Sequence, residues 1–150
     1  MTGGTSRYGD LRTSVQQRVH WDAAWAARAG NPAIYDYGRM RETWLIHLCT
    51  DWMGDDAWLW KLDCEFRRFN FIGDVHWMKG RVARKYLAEG ERPAVDLDLE
   101  GENQRGEVTT PGHATILLPS REHGPVRLPD APGSDLQETL EAISRRFDRS

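Results

Sequence analysis

The amino-acid sequence predicts an α+β fold in which a curved antiparallel β-sheet wraps one long central helix. The first observation is a proline-free stretch over residues 35–54, whose large apolar residues recur every three or four positions, as on one face of a helix. The second is a change of period after Gly54: from Leu59 onward, apolar and charged residues alternate as in half-buried strands. Because short turns separate these runs, we expect an antiparallel meander that buries the helix.

The first element in chain order is a short helix that begins after Asp22. The Asp22 carboxylate is a suitable N-cap for the alanine-rich turns that follow, and Gly30 ends the helix. Asn31 and Pro32 then form a turn. Two helices in series therefore precede the sheet.

The long helix is predicted to be capped by Asp36 and ended by Gly54. Its apolar stripe contains Met40, Trp44, Leu45, Leu48, Cys49 and Trp52 and is widened by Ile46 and Met53. So wide a stripe predicts a helix that is mostly buried. Gly38 lies near the first turn, where the absence of a Cβ lets a ligand approach unpaired backbone N–H groups. The alternative is that this glycine only relieves crowding.

Four strands are predicted, over residues 59–70, 75–86, 95–100 and 108–118, with turns at 71–74, 89–91 and 104–106. Pro111 and Gly112 interrupt the fourth strand. Proline cannot donate to a strand ladder, so this interruption predicts a bulge or an edge position.

Composition sets the domain boundaries. We predict a flexible N-terminal arm over residues 1–14, one domain over 15–120, a proline-rich connector over 121–133 and an amphipathic C-terminal helix over 134–150. A capping box at Ser134 opens the terminal helix. A chain of 150 residues is long enough for one domain with a core.

The charge and the lack of targeting segments exclude several classes of protein. A net charge of −3 and a pI near 5.9 do not provide the basic face that nucleic-acid binding requires. No N-terminal run resembles a signal peptide, and no window approaches the roughly 20 apolar residues of a membrane span. We therefore expect a soluble, cytoplasmic protein with neither nucleic acid nor membrane as partner.

The tryptophans and cysteines are unevenly placed. All seven tryptophans precede residue 80, which predicts that the core and any apolar pocket lie in the first half of the chain. Cys49 and Cys64 fall on apolar phases and are interpreted as small buried hydrophobes. They lack the paired spacings of zinc ligands, so neither a metal site nor a disulfide is expected.

Several short motifs together resemble those of a known family. They are His20-x-Asp22, Gly38, Thr50-Asp51-Trp52, Arg67-Arg68-Phe69-Asn70, Gly73-Asp74, Gly80-Arg81-Val82, and the runs at 102–106 and 110–115. In this order they resemble the MaoC-like (R)-specific enoyl-CoA hydratase and dehydratase branch of the hot-dog fold. The resemblance covers roughly residues 15–120.

The resemblance implies a sheet wrapped around a central helix, dimers formed edge to edge, and acyl-CoA thioesters as ligands, with no further cofactor. The activity it implies is addition of water to a trans-2-enoyl thioester, or the reverse dehydration. In active members an Asp lies five positions before the motif histidine, and the pair activates the water. A backbone N–H at the first turn of the long helix binds the thioester oxygen.

On this chain, the resemblance implies that His20 is the catalytic base and that Gly38 is the oxyanion-binding residue. Tyr37 stands at the position before Gly38, where the family commonly has a histidine. The catalytic Asp position holds Val15. His20 is therefore expected to lack a partner that fixes its tautomer. Four strands in place of five would also leave an edge exposed. We hypothesise that the chain is half of a larger hydratase, as a homodimer or as a heteromer with another hot-dog subunit.

Each candidate residue has a structural alternative. His20 is either a general base or a helix-start histidine bonded to backbone. His76 borders a pocket or is structural, and Asn103 either contacts a ligand or ties a strand to a turn. Arg67, Arg68 and Arg81 are candidates for binding CoA phosphates, or form an ordinary basic strand face.

Three functions remain open from the sequence. The chain is an enoyl-CoA hydratase or dehydratase component, a non-catalytic hot-dog subunit that stabilises a catalytic partner, or a hot-dog thioesterase. The many tryptophans suggest a roomy pocket suited to a bulky, polycyclic acyl chain.

Overall fold

The computed structural model describes residues 15–128. Within them lie the helices α1 (Val15–Arg18), α2 (Ala23–Arg28) and α3 (Gly38–Met53), followed by the strands β1 (Trp58–Cys64), β2 (His76–Ala88), β3 (Arg92–Asn103) and β4 (Val108–Leu117). The predicted N-terminal arm, the end of the connector and the C-terminal helix lie outside the described residues. No helix within residues 15–128 has both the length and the apolar character needed to cross a membrane.

The predicted caps are correct for α2 and for the end of α3. The Asp22 carboxylate accepts hydrogen bonds from the N–H groups of Ala24 and Trp25, at 3.0 and 3.2 Å. Gly54 follows α3 with a φ of 73°, and its N–H donates to the carbonyl of Thr50. A positive φ is strained for other residues, so the glycine fits the position.

Asp36 does not cap α3, contrary to the prediction. Tyr37 occupies the N-cap position and makes no side-chain cap hydrogen bond. The Asp36 carboxylate instead accepts two hydrogen bonds from the guanidinium of Arg41, at 2.5 and 2.7 Å. A two-pronged charged donor is a stronger partner than one backbone N–H.

The sheet is antiparallel throughout and has the strand order β1-β4-β3-β2. The predicted meander is correct for β2, β3 and β4 but wrong for β1, which pairs with β4. The first strand also ends at Cys64, well before residue 70. The connection over residues 65–75 is too long for a hairpin loop. It carries the chain past the start of α3 to β2, at the opposite edge of the sheet.

Of the two alternatives predicted at Pro111, the edge position is wrong because β4 is internal, and a shift in the β3–β4 register lies nearby, between Gly101 and Glu102. The Pro111 carbonyl accepts from the N–H of Glu65, which lies past the end of β1. The N–H and C=O of one residue point to the same side of a strand, so the position of the missing Pro111 N–H is on the side of β1. Strand β1 ends at Cys64, before this position, so no ladder bond within β1 is lost. Proline is therefore tolerated inside the sheet.

Helix α3 packs across the sheet and contacts all four strands, as predicted. The buried core consists of Leu45, Cys49, Val95, Leu97, Leu99, Ala114 and Ile116. Two of these residues come from α3 and five from β3 and β4, so the core does not lie in the first half of the chain.

The prediction that α3 is mostly buried is wrong. Arg41, Leu45 and Cys49 form one buried row, whereas Met40 and Trp52 are 45% and 49% exposed. Trp21, Trp58 and Trp77 are also exposed. The tryptophan-rich first half therefore supplies much of the apolar surface of this chain and little of its core.

Candidate functional site

Two cavities meet at the first turn of α3. The arginine cleft has a volume of about 260 Å³ and is bordered by Gly38, Arg41, Phe66, Arg67, Arg68 and Phe69. The aromatic cavity has a volume of about 400 Å³, with apolar walls from Ile34, Tyr37, Met40, Trp44, Phe71 and Ile72. His20, Tyr35 and Asp36 border both cavities.

A short bridge between two extended segments brings these residues together. Tyr35 forms an antiparallel bridge with Phe71, and the N–H of Asp36 donates to the carbonyl of Asn70 at 3.0 Å. The N–H of Ile72 returns a bond to the carbonyl of Ile34. The connection between β1 and β2 is thereby held against the chain that leads into α3.

His20 is held by the backbone. Its Nδ1 lies 2.9 Å from the carbonyl oxygen of Tyr35, and its ring stacks on that of Tyr37 with a centroid distance of 3.9 Å. A carbonyl oxygen only accepts, so Nδ1 carries the proton and the neutral ring presents a lone pair at Nε2. The tautomer is thus fixed without a carboxylate, contrary to expectation. Bonding to backbone and availability as a base are compatible in this geometry.

No free carboxylate accompanies His20 among the acids that surround it. Asp22 caps α2 and forms an ion pair with Arg18 at 2.5 Å, and this hydrogen bond lowers the pKa of the Asp22 carboxyl. Asp36 is engaged by Arg41. Val15, at the first position of α1, lies five residues before His20 and has no ionisable group.

Gly38 is the first residue of α3 and borders the arginine cleft. Its N–H has no intrahelical partner, as for any first helical residue, and no other described residue accepts from it. A Cβ built at this position would lie 2.8 Å from the ring of Phe66. The glycine therefore both exposes a helix N–H and accommodates a neighbouring ring. Tyr37, the other predicted oxyanion residue, places its ring on His20 instead.

Arg41 is the centre of a buried polar cluster beneath the first turn. It is 2% exposed, and its Nη1 donates to the carbonyl of Arg68 at 2.6 Å in addition to the Asp36 pair. Sequence reasoning missed this residue. The available signal was its position four residues before Leu45 and eight before Cys49, on the buried row of the helix.

His76 extends the same cluster to the sheet. Its Nδ1 lies 3.3 Å from the side-chain nitrogen of Asn70, and its Nε2 lies 2.5 Å from Oγ1 of Thr109. Burial, and secondarily the positive charge of Arg41, lower the pKa of the His76 imidazole below its usual 6.5. His76 also borders the aromatic cavity, so its two predicted roles coexist.

Asn103 ties a strand to a turn. It is 1% exposed, and its Oδ1 accepts from the N–H groups of Arg105 and Glu107 while its amide nitrogen donates to the Glu107 carboxylate at 2.8 Å. It borders neither cavity. The geometry therefore assigns it to the β3–β4 turn.

The three candidate phosphate-binding arginines are not together. Arg67 and Arg68 border the arginine cleft beside His20 and Gly38. Arg81 is paired with Asp98 at 2.7 Å, across β2 and β3, and borders neither cavity. Within residues 15–128, no group of three His, Cys, Asp or Glu side chains has an arrangement suited to a metal ion.

Comparisons with known proteins identify the fold. No protein-family model matches the chain, and no curated protein matches it. The solved (R)-hydratase from A. caviae involved in PHA biosynthesis is similar with a TM-score of 0.61 at 21% identity, over 75% of this chain and 83% of that one. For R-hydratase PhaJ1 from Pseudomonas aeruginosa the TM-score is 0.63 at 20% identity, over 84% and 79%.

A third similar structure is the ChsH1-ChsH2 complex from Mycobacterium tuberculosis, with a TM-score of 0.59 at 19% identity, over 74% of this chain and 83% of that one. These neighbours have the hot-dog fold. The predicted α+β hot-dog architecture of this chain is therefore confirmed.

Proposed function

We propose that this chain is a hot-dog subunit that binds an acyl-CoA thioester and takes part in hydration of a 2-enoyl thioester or in the reverse dehydration. The observation that carries the proposal is that His20 and Gly38 border one cleft. His20 offers a neutral nitrogen lone pair and Gly38 an unpaired helix N–H. These are the two groups that the reaction needs at opposite ends of the conjugated system.

The chemistry follows from these two groups. In hydration, the oxygen of water forms a bond to C3 of the enoyl thioester while His20 Nε2 takes a water proton. The electron pair of the double bond moves toward the thioester carbonyl, and the Gly38 N–H together with the positive end of α3 stabilises the negative oxygen. The proton held on His20 Nε2 then adds to C2 as the thioester carbonyl re-forms, so that H and OH have been added across the double bond and His20 is neutral again.

Arg67 and Arg68 support a CoA ligand in this cleft. Phosphates are bound well by guanidinium groups at a cavity mouth. Arg67 is also paired with Glu65 at 2.8 Å, and Arg68 lies 3.8 Å from Glu107. Both pairs are exposed and readily exchanged for a phosphate. Arg81 is not part of this site, because it lies on β2 and borders neither cavity.

A partner subunit could supply the carboxylate that this chain lacks beside His20. Asp22 and Asp36 are both engaged, and Val15 stands at the position where the resemblance places the catalytic acid. We propose that another hot-dog subunit completes the active site or carries it entirely. The second alternative, a non-catalytic subunit that stabilises a catalytic partner, is favoured by Val15. The ChsH1-ChsH2 complex among the similar structures is a precedent for assembly.

The test is a hydration assay with crotonyl-CoA and longer trans-2-enoyl-CoAs, on the purified chain and on the assembly isolated from its host. Hydration that is lost in His20→Ala and kept in the exposed control His47→Ala supports a catalytic role. Binding without turnover, with stimulation of a co-purified subunit, supports the non-catalytic role. Release of free CoA without hydration, or no binding of any acyl-CoA, contradicts the proposal.

A further inference from the structure

Tyr37 occupies the N-cap position of α3 without acting as a cap. The side chains favoured at this position are short and carry an oxygen that accepts a hydrogen bond from the first turn. Tyr37 has extended backbone dihedrals, with φ −76° and ψ 129°, and makes no side-chain cap hydrogen bond. The stability of the helix therefore does not explain a tyrosine here.

The ring of Tyr37 lies against the imidazole of His20. The two ring centroids are 3.9 Å apart, and the ring planes are inclined by 30°. Among the described residues, His20 is the one ring that Tyr37 contacts. Because Tyr37 is 38% exposed, burial holds its ring only in part. The contact with His20 is therefore the specific interaction of this side chain.

The hydrogen bond from His20 to Tyr35 does not by itself fix the plane of the imidazole. The Nδ1–H donates to the carbonyl oxygen of Tyr35 at 2.9 Å, and this bond determines the tautomer. A carbonyl oxygen accepts from a broad range of directions, so the ring could still turn about the line between Nδ1 and that oxygen. Such a rotation would change the direction of the Nε2 lone pair.

Two aromatic contacts oppose this rotation. Tyr37 lies against the imidazole at a small angle, whereas the ring of Tyr35 meets it at 77° with a centroid distance of 4.8 Å. Turning the imidazole about its hydrogen bond would disrupt both arrangements. Aromatic pairs in such geometries stabilise a structure beyond the area they bury. One hydrogen bond and two ring contacts together define where Nε2 points.

Tyr37 also connects His20 with Gly38. It immediately precedes Gly38, the first residue of α3, and both His20 and Gly38 border the arginine cleft. The ring that holds the imidazole and the N–H available at the cleft therefore belong to adjacent residues. Their relative position depends on only a few dihedral angles, so the two groups are placed as one unit.

We propose that Tyr37 is a positioning residue that holds the imidazole plane of His20, so that Nε2 stays directed at the reacting water. The inference rests on the proposed function for the identity of the reaction, whereas the fixed ring plane can be tested without a substrate. The aromatic ring of Tyr37 is required for this role, and its hydroxyl is not.

The first experiment observes the His20 ring by NMR in the complete chain without ligand. The NOEs between the His20 ring protons and the Tyr35 ring report on the imidazole plane, and the ring nitrogen shifts report on the tautomer. Tyr37→Leu should average the NOE pattern and leave the tautomer unchanged, because the Tyr35 carbonyl still accepts. Tyr37→Phe should keep the wild-type pattern. The same pattern in wild type and Tyr37→Leu overturns the inference.

The second experiment measures kcat and KM for hydration of crotonyl-CoA. Tyr37→Leu keeps an apolar side chain, so KM should stay within about twofold, while kcat falls about fivefold, as loss of an aromatic pair that acts only in the transition state provides. Tyr37→Phe should restore the wild-type kcat. The matched control is Trp21→Leu, since Trp21 adjoins His20 in the chain and is 51% exposed. A Tyr37→Phe variant as slow as Tyr37→Leu assigns the effect to the hydroxyl and overturns the inference.

The two experiments separate this inference from the proposed function. Hydration whose kcat is the same in wild type and Tyr37→Leu overturns the inference and leaves the proposed function standing. A changed NOE pattern in Tyr37→Leu, in a chain that neither binds an acyl-CoA nor hydrates one, retains the fixed ring plane and contradicts the proposed function. If Tyr37→Leu does not fold, the wild-type spectrum decides, because the inference requires NOEs from the His20 ring to both the Tyr35 and the Tyr37 rings.

Discussion

Asp36 and Arg41 form a bidentate ion pair beneath the first turn of α3, with Nη2 2.5 Å from Oδ1 and Nε 2.7 Å from Oδ2. Their side chains are 13% and 3% exposed. The pair holds the extended segment before α3 against the helix. It thereby fixes the relative positions of His20, which is bonded to Tyr35, and Gly38.

Arg41→Met should destabilise the protein by about 3–5 kcal/mol, because it leaves the Asp36 carboxylate buried without its cation. The measurement is urea unfolding followed by circular dichroism. Arg39→Met is the matched control, since Arg39 on the same helix forms an exposed pair with Glu42. A loss no larger than that of the control would mean that the Asp36–Arg41 pair is unimportant for stability.

The stability of the protein should fall as pH drops below 6.5, in part through His76. Burial and Arg41 lower the pKa of folded His76, so below 6.5 the unfolded chain binds a proton that the folded chain does not. The contribution is therefore fully present above 6.5 and is lost as pH falls toward the folded pKa. His76→Gln, which can still bond Asn70 and Thr109, should have a shallower loss between pH 7 and 5 in urea titrations. Parallel curves for the two proteins would exclude His76 as a source.

A double-mutant cycle on Gly38 and Phe66 distinguishes the two roles of the glycine. Alanine keeps the backbone N–H of Gly38, but its methyl group should keep a ligand from reaching that N–H. Gly38→Ala should therefore weaken acyl-CoA binding by about tenfold, as expected when one hydrogen bond is no longer made. In the Phe66→Ala background the new methyl group no longer meets the ring. A loss of affinity that persists there identifies Gly38 as a ligand-binding residue. Full recovery would mean that the glycine serves only to accommodate Phe66.

Assembly with another subunit is expected to use the edge at β2. This strand spans His76–Ala88 and has no partner on its outer side within the described residues, and Val82 and Trp52 present apolar surface beside it. A charge at an edge opposes pairing. Val82→Lys should therefore reduce the mass of the assembly in sedimentation experiments. Trp58→Lys, at the opposite edge on β1, is the control; the reverse pattern would place the contact at β1.

Local features were predictable from the sequence, and long-range ones were not. The cap at Asp22, the core positions of Leu45 and Cys49, and the alternation in β3 depend on neighbours a few residues away. The pairing of β1 with β4 depends on the path of residues 65–75, and alternation does not encode that path. A predicted meander therefore failed at the one connection that is not a hairpin.

The candidate site was predicted in part for the same reason. Gly38 could be chosen from its position near the start of the long helix, whereas His20 was chosen from the motif that the family resemblance supplied. The bond from His20 to Tyr35 joins a ring to a backbone carbonyl 15 residues away and leaves no pattern in the sequence. The burial of Arg41 was concealed because charged residues are normally assigned to the solvent side of a helix.

The pairing of β1 with β4 also has a consequence during synthesis of the chain. The first strand and the inner row of α3 emerge from the ribosome early, but their cover, which ends at Leu117, is among the last parts of the sheet to be made. Until then the nascent chain displays apolar surface that only β2 and β3 can partly shield. Chains that end at a stop codon between residues 64 and 108, or that pause there during synthesis, are therefore expected to depend on chaperones.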